Sequence, residues 1–481
     1  MEPVLSVPLT LPAGAGRSRH LHRQLRAAIL DGRLATGTPL PSTRALAADL
    51  GVARNTVATA YDLLVAEGYV LPRRRARPVV ATLPARHGPT PPPAGGEHRL
   101  APFWRTPFHA AGALPPAARP DFRLGVPDHR HFPHALWRRL TARALRQLAR
   151  QPFAYPPSEG LPELRAAIAG HVAFARAVAC DADAVVVTSG AQQAFDLLAR
   201  LLVTPGTTRV AVEEPGYPPL RAAFAAAGAR LVPVPVDGEG LVVARLPDDV
   251  RVVSVTPSHQ SPTGTVLSQR RRMALLAFAR ERNAVVIEDD YDGEFRFGGR
   301  PLDALQTLDR EGRVFYVGTF SKSLFPALRK GFVVAPAWAR APLAAAKHCA
   351  DAHSDAPTQA VLAAFIRDGH LARHVRRMQA LYAARRAALL EGLAALSPWL
   401  LPIPSEAGLH LAAQLRDPAQ EAALLGLLRE HAPGAQSCAE YALAPLPRPA
   451  VVFGYGAIEV DAIRAGLTAL AAALRARLPP R

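Results

Sequence analysis

The chain has 481 residues, 49% of them apolar and 20% charged, with a formal net charge of +18 at pH 7. That length provides for two to four domains with a large core, and a basic balance of this size suits a polyanion such as nucleic acid, although the abundance of Ala, Arg, Pro and Gly throughout accounts for the charge equally well. No run approaches the ~18 uninterrupted apolar residues of a membrane span, residues Pro3–Gly16 lack the basic start of a secretion signal, and Cys180, Cys349 and Cys438 form no metal-ligand spacing, so a cytoplasmic protein with reduced thiols and no metal is expected.

Leu21, Leu25, Ala28 and Ile29 fall on one face of a first helix, Leu21–Leu30. Ser42 is a good N-cap for a second helix with Leu46, Ala47 and Leu50 on its inner stripe. Gly51-Val52 makes a tight turn, and a third helix runs from about Arg54 to Glu67 with Val57, Ala60, Tyr61 and Leu64 inward. Two short helices joined by a glycine turn form a helix-turn-helix pattern. Arg54, Asn55 and Thr56 then open the helix that would enter a major groove, where they suit guanine, adenine and phosphate.

Residues 81–120 are rich in Pro, Gly and Ala and read as a linker. Beyond it, β-rich runs alternate with Ala/Leu-rich helical runs, as in an α/β domain with a mostly parallel sheet. Five of the strand-like runs end in polar or glycine clusters. Ala184–Thr188 leads to Ser189-Gly190-Ala191-Gln192-Gln193, a small-residue turn opening a helix, which suits a phosphate. Arg209–Val212 leads to Glu213-Glu214-Pro215-Gly216-Tyr217, where Tyr217 is either a ring-stacking residue or an ordinary packed tyrosine. Val250–Val255 leads to Thr256 and on to Gly264, Ala284–Ile287 to Glu288-Asp289-Asp290-Tyr291-Asp292, and Val314–Gly318 to Thr319, Ser321 and Lys322, with Arg329 seven residues on. Ligands gather at the carboxyl ends of such strands, so the five clusters are expected to line one pocket.

Only three lysines, Lys322, Lys330 and Lys347, occur among the 57 Lys and Arg residues. An amine can lose its proton and form a Schiff base with a carbonyl, which a guanidinium cannot do. Lys322 follows a strand-like run. Lys330 adjoins Arg329 and should point the other way if that segment is extended, and Lys347 lies in a helical run, so neither has the surroundings of a reactive amine. A lysine, an aspartate at a strand end, a glycine helix start, a hydroxyl and an arginine make up the set that pyridoxal phosphate requires.

These motifs resemble known families. Gly32-Arg33-Leu34, Leu40-Pro41-Ser42-Thr43-Arg44-Ala45-Leu46-Ala47, Leu50-Gly51-Val52-Ala53-Arg54-Asn55-Thr56-Val57 and Glu67-Gly68-Tyr69-Val70 resemble the winged helix-turn-helix of the GntR family. From about Asp121 onward, Phe132-Pro133, Gly160-Leu161-Pro162-Glu163-Leu164-Arg165, the five strand-end clusters and Leu328-Arg329-Lys330-Gly331-Phe332 resemble the fold-type-I aminotransferases. The fusion, with Ser258-His259-Gln260, resembles the MocR/GabR/PdxR type of transcriptional regulator. The resemblance implies a multidomain chain: an all-α winged helix-turn-helix DNA-binding domain over 1–80, the linker over 81–120, and over 121–481 an α/β body of the pyridoxal-phosphate-dependent transferase fold. It implies Lys322 as the Schiff-base residue, Asp289 on the pyridine nitrogen, Tyr291 on the ring hydroxyl, Tyr217 stacked on the ring, and Thr319, Arg329 and the backbone of Gly190, Ala191 and Gln192 on the phosphate. It also implies DNA contacts by Ser42, Arg44, Arg54, Asn55, Thr56 and the wing arginines Arg73, Arg74 and Arg75. The partners implied are an operator duplex, a second copy paired head to tail, and an effector that is an amine, an amino acid or pyridoxal phosphate itself. The alternative is an active pyridoxal-phosphate-dependent aminotransferase with a secondary DNA-binding head; a residual half-reaction is compatible with either reading.

Four positions depart from these families. Ala53 stands where GntR members usually have a serine N-cap, and the wing Pro72–Pro78 is arginine-rich rather than glycine-rich. Ser261 replaces the asparagine that precedes Pro-Thr-Gly in ordinary aminotransferases, and Ala450–Tyr455 contains no arginine for a substrate carboxylate.

Overall fold

Apolar residues at helical spacing build the first three helices, α1 (Arg17–Leu30), α2 (Thr43–Asp49) and α3 (Arg54–Ala66). The computed structural model describes residues 5, 7–11, 16–73, 76–83, 100–105, 121–150, 154–298 and 302–478, which divide between two units, Met1–Gly96 and Glu97–Arg481. In the first unit Leu21, Leu25, Leu46, Val57, Ala60 and Leu64 make one core, while Leu50 is only half-buried. The Tyr61 hydroxyl donates to the Pro41 carbonyl at 3.1 Å and ties α3 to the start of α2. Ser42 caps α2 by accepting from the Ala45 amide at 3.1 Å, whereas Ala53 gives α3 no side-chain cap. The helices are joined by a two-stranded antiparallel wing, β1 (Val70–Leu71) and β2 (Val79–Val80), whose Val70 and Val80 sit in the same core. Arg74, Arg75 and most of the 81–120 linker lie outside the described residues.

The second unit starts with α4 (His134–Leu148) and α5 (Pro162–Arg176), followed by β3 (Val185–Thr188), α6 (Ala191–Leu202), β4 (Arg209–Glu214), α7 (Pro218–Ala226), β5 (Arg230–Asp237), β6 (Gly240–Leu241), β7 (Val252–Val255), α8 (Gln269–Glu281), β8 (Val285–Asp290), β9 (Val314–Thr319) and β10 (Gly331–Val334). The strands form one sheet in the order β3-β10-β9-β8-β7-β4-β5-β6. β9, β8, β7, β4 and β5 pair in parallel, and β10 runs antiparallel between β3 and β9. β3 and β9 therefore point the same way, and the carboxyl ends of β3, β4, β7, β8 and β9 share one edge of the sheet. β3 and β9 are buried throughout, as expected of strands covered by helices on both faces.

β8 extends further than its apolar run and carries Glu288, Asp289 and Asp290 inside the strand. Two of these buried acids find partners within the protein. Glu288 accepts from the Leu305 and Gln306 amides at 2.8 Å each, and Asp290 accepts from Arg176 Nε and the Tyr316 hydroxyl at 2.6 Å each.

The remainder comprises α9 (Arg340–Asp351), α10 (Ala356–Arg367), the long α11 (His370–Ala395), α12 (Glu421–His431) and α13 (Val460–Arg477), with a four-stranded antiparallel sheet ordered β11-β12-β14-β13. Its strands are β11 (Leu400–Pro402), β12 (His410–Leu415), β13 (Gln436–Ser437) and β14 (Ala450–Gly454). Among the described residues no helix is long and apolar enough to cross a membrane, and the three cysteines are unpaired.

Candidate functional site

A cavity of ≈ 320 Å³ opens at the carboxyl edge of the large sheet. Eight of the nine residues expected around a cofactor line it: Ala191, Gln192, Tyr217, Asp289, Tyr291, Thr319, Lys322 and Arg329. The ninth, Gly190, lies under Arg329. Gly190 has φ +83°, and a Cβ there would stand 2.8 Å from the Arg329 guanidinium, so only glycine lets the arginine cross the start of α6. Arg329 itself takes a left-handed backbone (φ 48°) and donates to the Ser189 carbonyl at 2.8 Å. Ala191 and Gln192 are the first residues of α6, whose initial amides have no intrahelical acceptor. The Thr319 hydroxyl lies 3.0 Å from that of Ser321. This end of the cavity thus gathers a guanidinium, hydroxyls and a helix start, the equipment of an anion site.

Lys322 follows β9, and its Nζ donates to the Gly125 carbonyl at 2.7 Å. Gly125 (φ +71°) is also a close approach: a Cβ there would sit 2.6 Å from Nζ. Burial pushes the Lys322 amine below its usual pKa; Asp292 and Asp289 oppose the shift and Arg329 reinforces it. Asp289 is buried, and its Oδ1 has no hydrogen-bond partner. Burial raises its carboxyl well above the ordinary range, and the Asp290, Asp292 and Glu213 carboxylates add to the rise. The Lys322 amine opposes the rise without cancelling it, so a further donor or cation in the cavity would favour the anion. Glu213, at the end of β4, is pushed by burial up to about 7, against hydrogen bonds from Thr256 and Gln260 that favour its ionised form.

The Tyr291 hydroxyl donates to the His259 carbonyl at 2.9 Å and lies 3.1 Å from His259 Nδ1. His259 Nδ1 is in turn 3.0 Å from Asp292. The His410 ring lies tilted against that of His259 with centroids 4.4 Å apart, so His259, Asp292 and His410 form a buried cluster behind Tyr291. Tyr217 sits at the N-cap of α7, 38% exposed at the cavity wall, with Phe195 against its ring edge.

Sequence reasoning missed several lining residues. Gly125 acts through its backbone, and His410, Gln436, Glu440 and Tyr441 come from the four-stranded sheet and its connections. Ser258-His259-Gln260 stood out as a motif, but the pairing of His259 with Asp292 and Tyr291 needed the fold. Neither Lys330 nor Lys347 lines the cavity. Both are buried: Lys347 pairs with Asp351, and burial lowers the Lys330 amine, with Asp355 and Asp351 opposing.

In the first unit, Arg44, Arg54, Asn55 and Arg73 are exposed, while Ser42 and Thr56 are half-buried. Arg54 Nε reaches Thr43 Oγ1 at 3.4 Å, which holds the starts of α2 and α3 together.

Residues 17–80 match the family described as bacterial regulatory proteins, gntR family, and residues 123–433 match aminotransferase class I and II. The probable rhizopine catabolism regulatory protein MocR of Rhizobium meliloti is 36% identical over 95% of this chain and 94% of its own length. The chain belongs to the MocR/PdxR-type family of transcriptional regulators. The HTH-type pyridoxine biosynthesis transcriptional regulator PdxR of Corynebacterium glutamicum is 34% identical over 92% of this chain and 93% of its own length. The kynurenine aminotransferase of Pyrococcus horikoshii, solved in complex with PMP, superposes with a TM-score of 0.68 at 27% identity over 75% of this chain and 92% of its own. Like these full-length relatives, this MocR-type chain is a DNA-binding regulator with an aminotransferase-like body, and that reading prevails over an aminotransferase carrying a secondary head.

Proposed function

We propose that the body binds pyridoxal 5'-phosphate covalently through Lys322 and uses it to sense a small amine, an amino acid or the cofactor itself. The observation that carries this reading is the buried Asp289 carboxylate, whose Oδ1 has no partner, in the same cavity as a desolvated lysine amine. The residues present fit the group. Asp289 would hold the pyridine nitrogen protonated, Tyr291 would meet the ring hydroxyl, Tyr217 would cover the ring, and Arg329, Thr319 and the amides of Gly190, Ala191 and Gln192 would take the phosphate. When bound, the cofactor supplies an aldehyde that captures amines reversibly and a ring that withdraws electrons. The lowered pKa of Lys322 increases the unprotonated fraction of the amine that attacks that aldehyde.

The head would read its operator through Arg54 and Asn55 on base edges and Ser42, Arg44, Thr56 and Arg73–Arg75 on phosphates, with two copies arranged head to tail to serve two half-sites. The body is tested directly. Full-length protein mixed with pyridoxal phosphate should turn yellow with a visible absorbance band, and Lys322→Ala should lose that band while keeping its far-ultraviolet circular dichroism. A colourless wild-type protein would overturn the proposal.

A further inference from the structure

Setting aside the groups assigned to the cofactor, the cavity keeps a second wall made by Gln436, Glu440, Tyr441 and His410. Glu440 is held in place there. It closes a capping box with Ser437 at the start of the short turn Cys438–Tyr441, and its Oε2 accepts from Gln436 Nε2 at 3.0 Å. Gln436 Oε1 accepts from the Tyr441 hydroxyl at 3.1 Å, which fixes the amide that fixes the carboxylate. Glu440 remains exposed, so its oxygens can accept further hydrogen bonds.

Nothing on this wall balances it. Lys322 and Arg329 are the only Lys or Arg side chains among the described lining residues, and both are committed to the cofactor end. Arg221 lies nearby but donates to the Tyr441 carbonyl at 2.8 Å and faces Glu214 at 3.5 Å. His410 is held neutral by burial, and its Nε2 is buried without a partner, so it offers a hydrogen bond and no positive charge. A ligand that places a carboxylate here meets a like charge. A ligand that places an ammonium here gains a charge-assisted hydrogen bond from a pre-oriented acceptor.

We propose that the effector is a diamine, a primary amine whose second nitrogen takes the place of an amino acid's carboxylate and is bound as an ammonium by Glu440. This rests on the cofactor reading above, since the first nitrogen must be captured at the Lys322 end.

The test uses full-length protein loaded with pyridoxal phosphate and titrated, by its visible absorbance, with three amines of equal chain length: diaminobutane, butylamine and γ-aminobutyrate. Their distal groups are cationic, neutral and anionic. Diaminobutane should half-saturate at roughly tenfold lower concentration than butylamine, with γ-aminobutyrate weakest. Glu440→Gln should abolish the preference for diaminobutane over butylamine. The ranking in the wild type decides the matter by itself if that variant fails to fold. Tighter binding of γ-aminobutyrate, a preference that survives Glu440→Gln, or a cofactor band that answers to none of the three amines would overturn the diamine. A protein that shows no cofactor band at all would instead overturn the cofactor reading beneath it.

Discussion

Glu288 and Asp290 project from one side of β8 and Asp289 from the other, because successive strand residues alternate. All three are buried acids. On the first side the protein supplies the donors itself: two backbone amides for Glu288, and Arg176 and Tyr316 for Asp290, with Arg176 also bonded to Ser258 and the Leu302 carbonyl, while burial and the neighbouring Asp290 still push Glu288 up to about 7. On the second side Asp289 has an oxygen with no partner, and its neighbours are three carboxylates that raise its pKa against the single Lys322 amine that lowers it. Burying an acid without a donor costs several kcal/mol, roughly what a buried ion pair loses when one partner is removed. The same chemistry one residue apart is therefore partnered by the protein in one case and left with an open acceptor facing the cavity in the other.

Three perturbations test contrasts of this kind. The largest effect belongs to the partnered side. Arg176→Met should destabilise the body by about 3–5 kcal/mol, measured by thermal or denaturant unfolding, because it strands Asp290 beside Glu288. On the open side the sign reverses. Asp289→Asn should stabilise the cofactor-free protein by about 1–3 kcal/mol at neutral pH, while weakening retention of pyridoxal phosphate in dialysis. The pH dependence follows from linkage. A carboxyl whose folded pKa is raised contributes its stability below its unfolded value and loses it as the pH climbs through the folded value. Cofactor-free wild type should thus fall behind Asp289→Asn as the pH rises above 3.8, the ordinary aspartate value, and added pyridoxal phosphate should narrow the gap. The smallest effect lies in the head, where the contrast is between a capped and an uncapped helix. Ala53→Ser should give α3 the cap that Ser42 already gives α2, adding about 1 kcal/mol, with tighter operator binding in gel-shift titrations.

The sheet and the strand-end positions were legible because each chemistry-bearing residue comes directly after an apolar β run, and the strand end dictates where it points. The three inner faces of the head were legible because helical spacing alone selects Leu21, Leu46 and Val57. The second wall of the cavity was not. His410 sits in an apolar stretch with no motif, and Gln436 and Glu440 follow a loop more than a hundred residues after Lys322. Their approach depends on how the four-stranded sheet packs, which no local pattern encodes. The end of β8 was misjudged for a related reason. Three consecutive acids read as the exit from a strand until Arg176, more than a hundred residues upstream, supplies the cation that lets the strand continue.

The lysine distribution has a consequence for the outside of the molecule. Lys330 and Lys347 are buried and Lys322 is turned into the cavity, so the solvent-facing side-chain cations are guanidinium groups and imidazoles. A guanidinium stays charged at every pH the cell reaches, and it is not a substrate for acetylation. The attraction of this surface for DNA therefore cannot be dialled down by acylating lysines. Amine-directed labels and cross-linkers will find few side-chain targets on the exterior, leaving Lys322 as the side-chain amine most open to a small aldehyde.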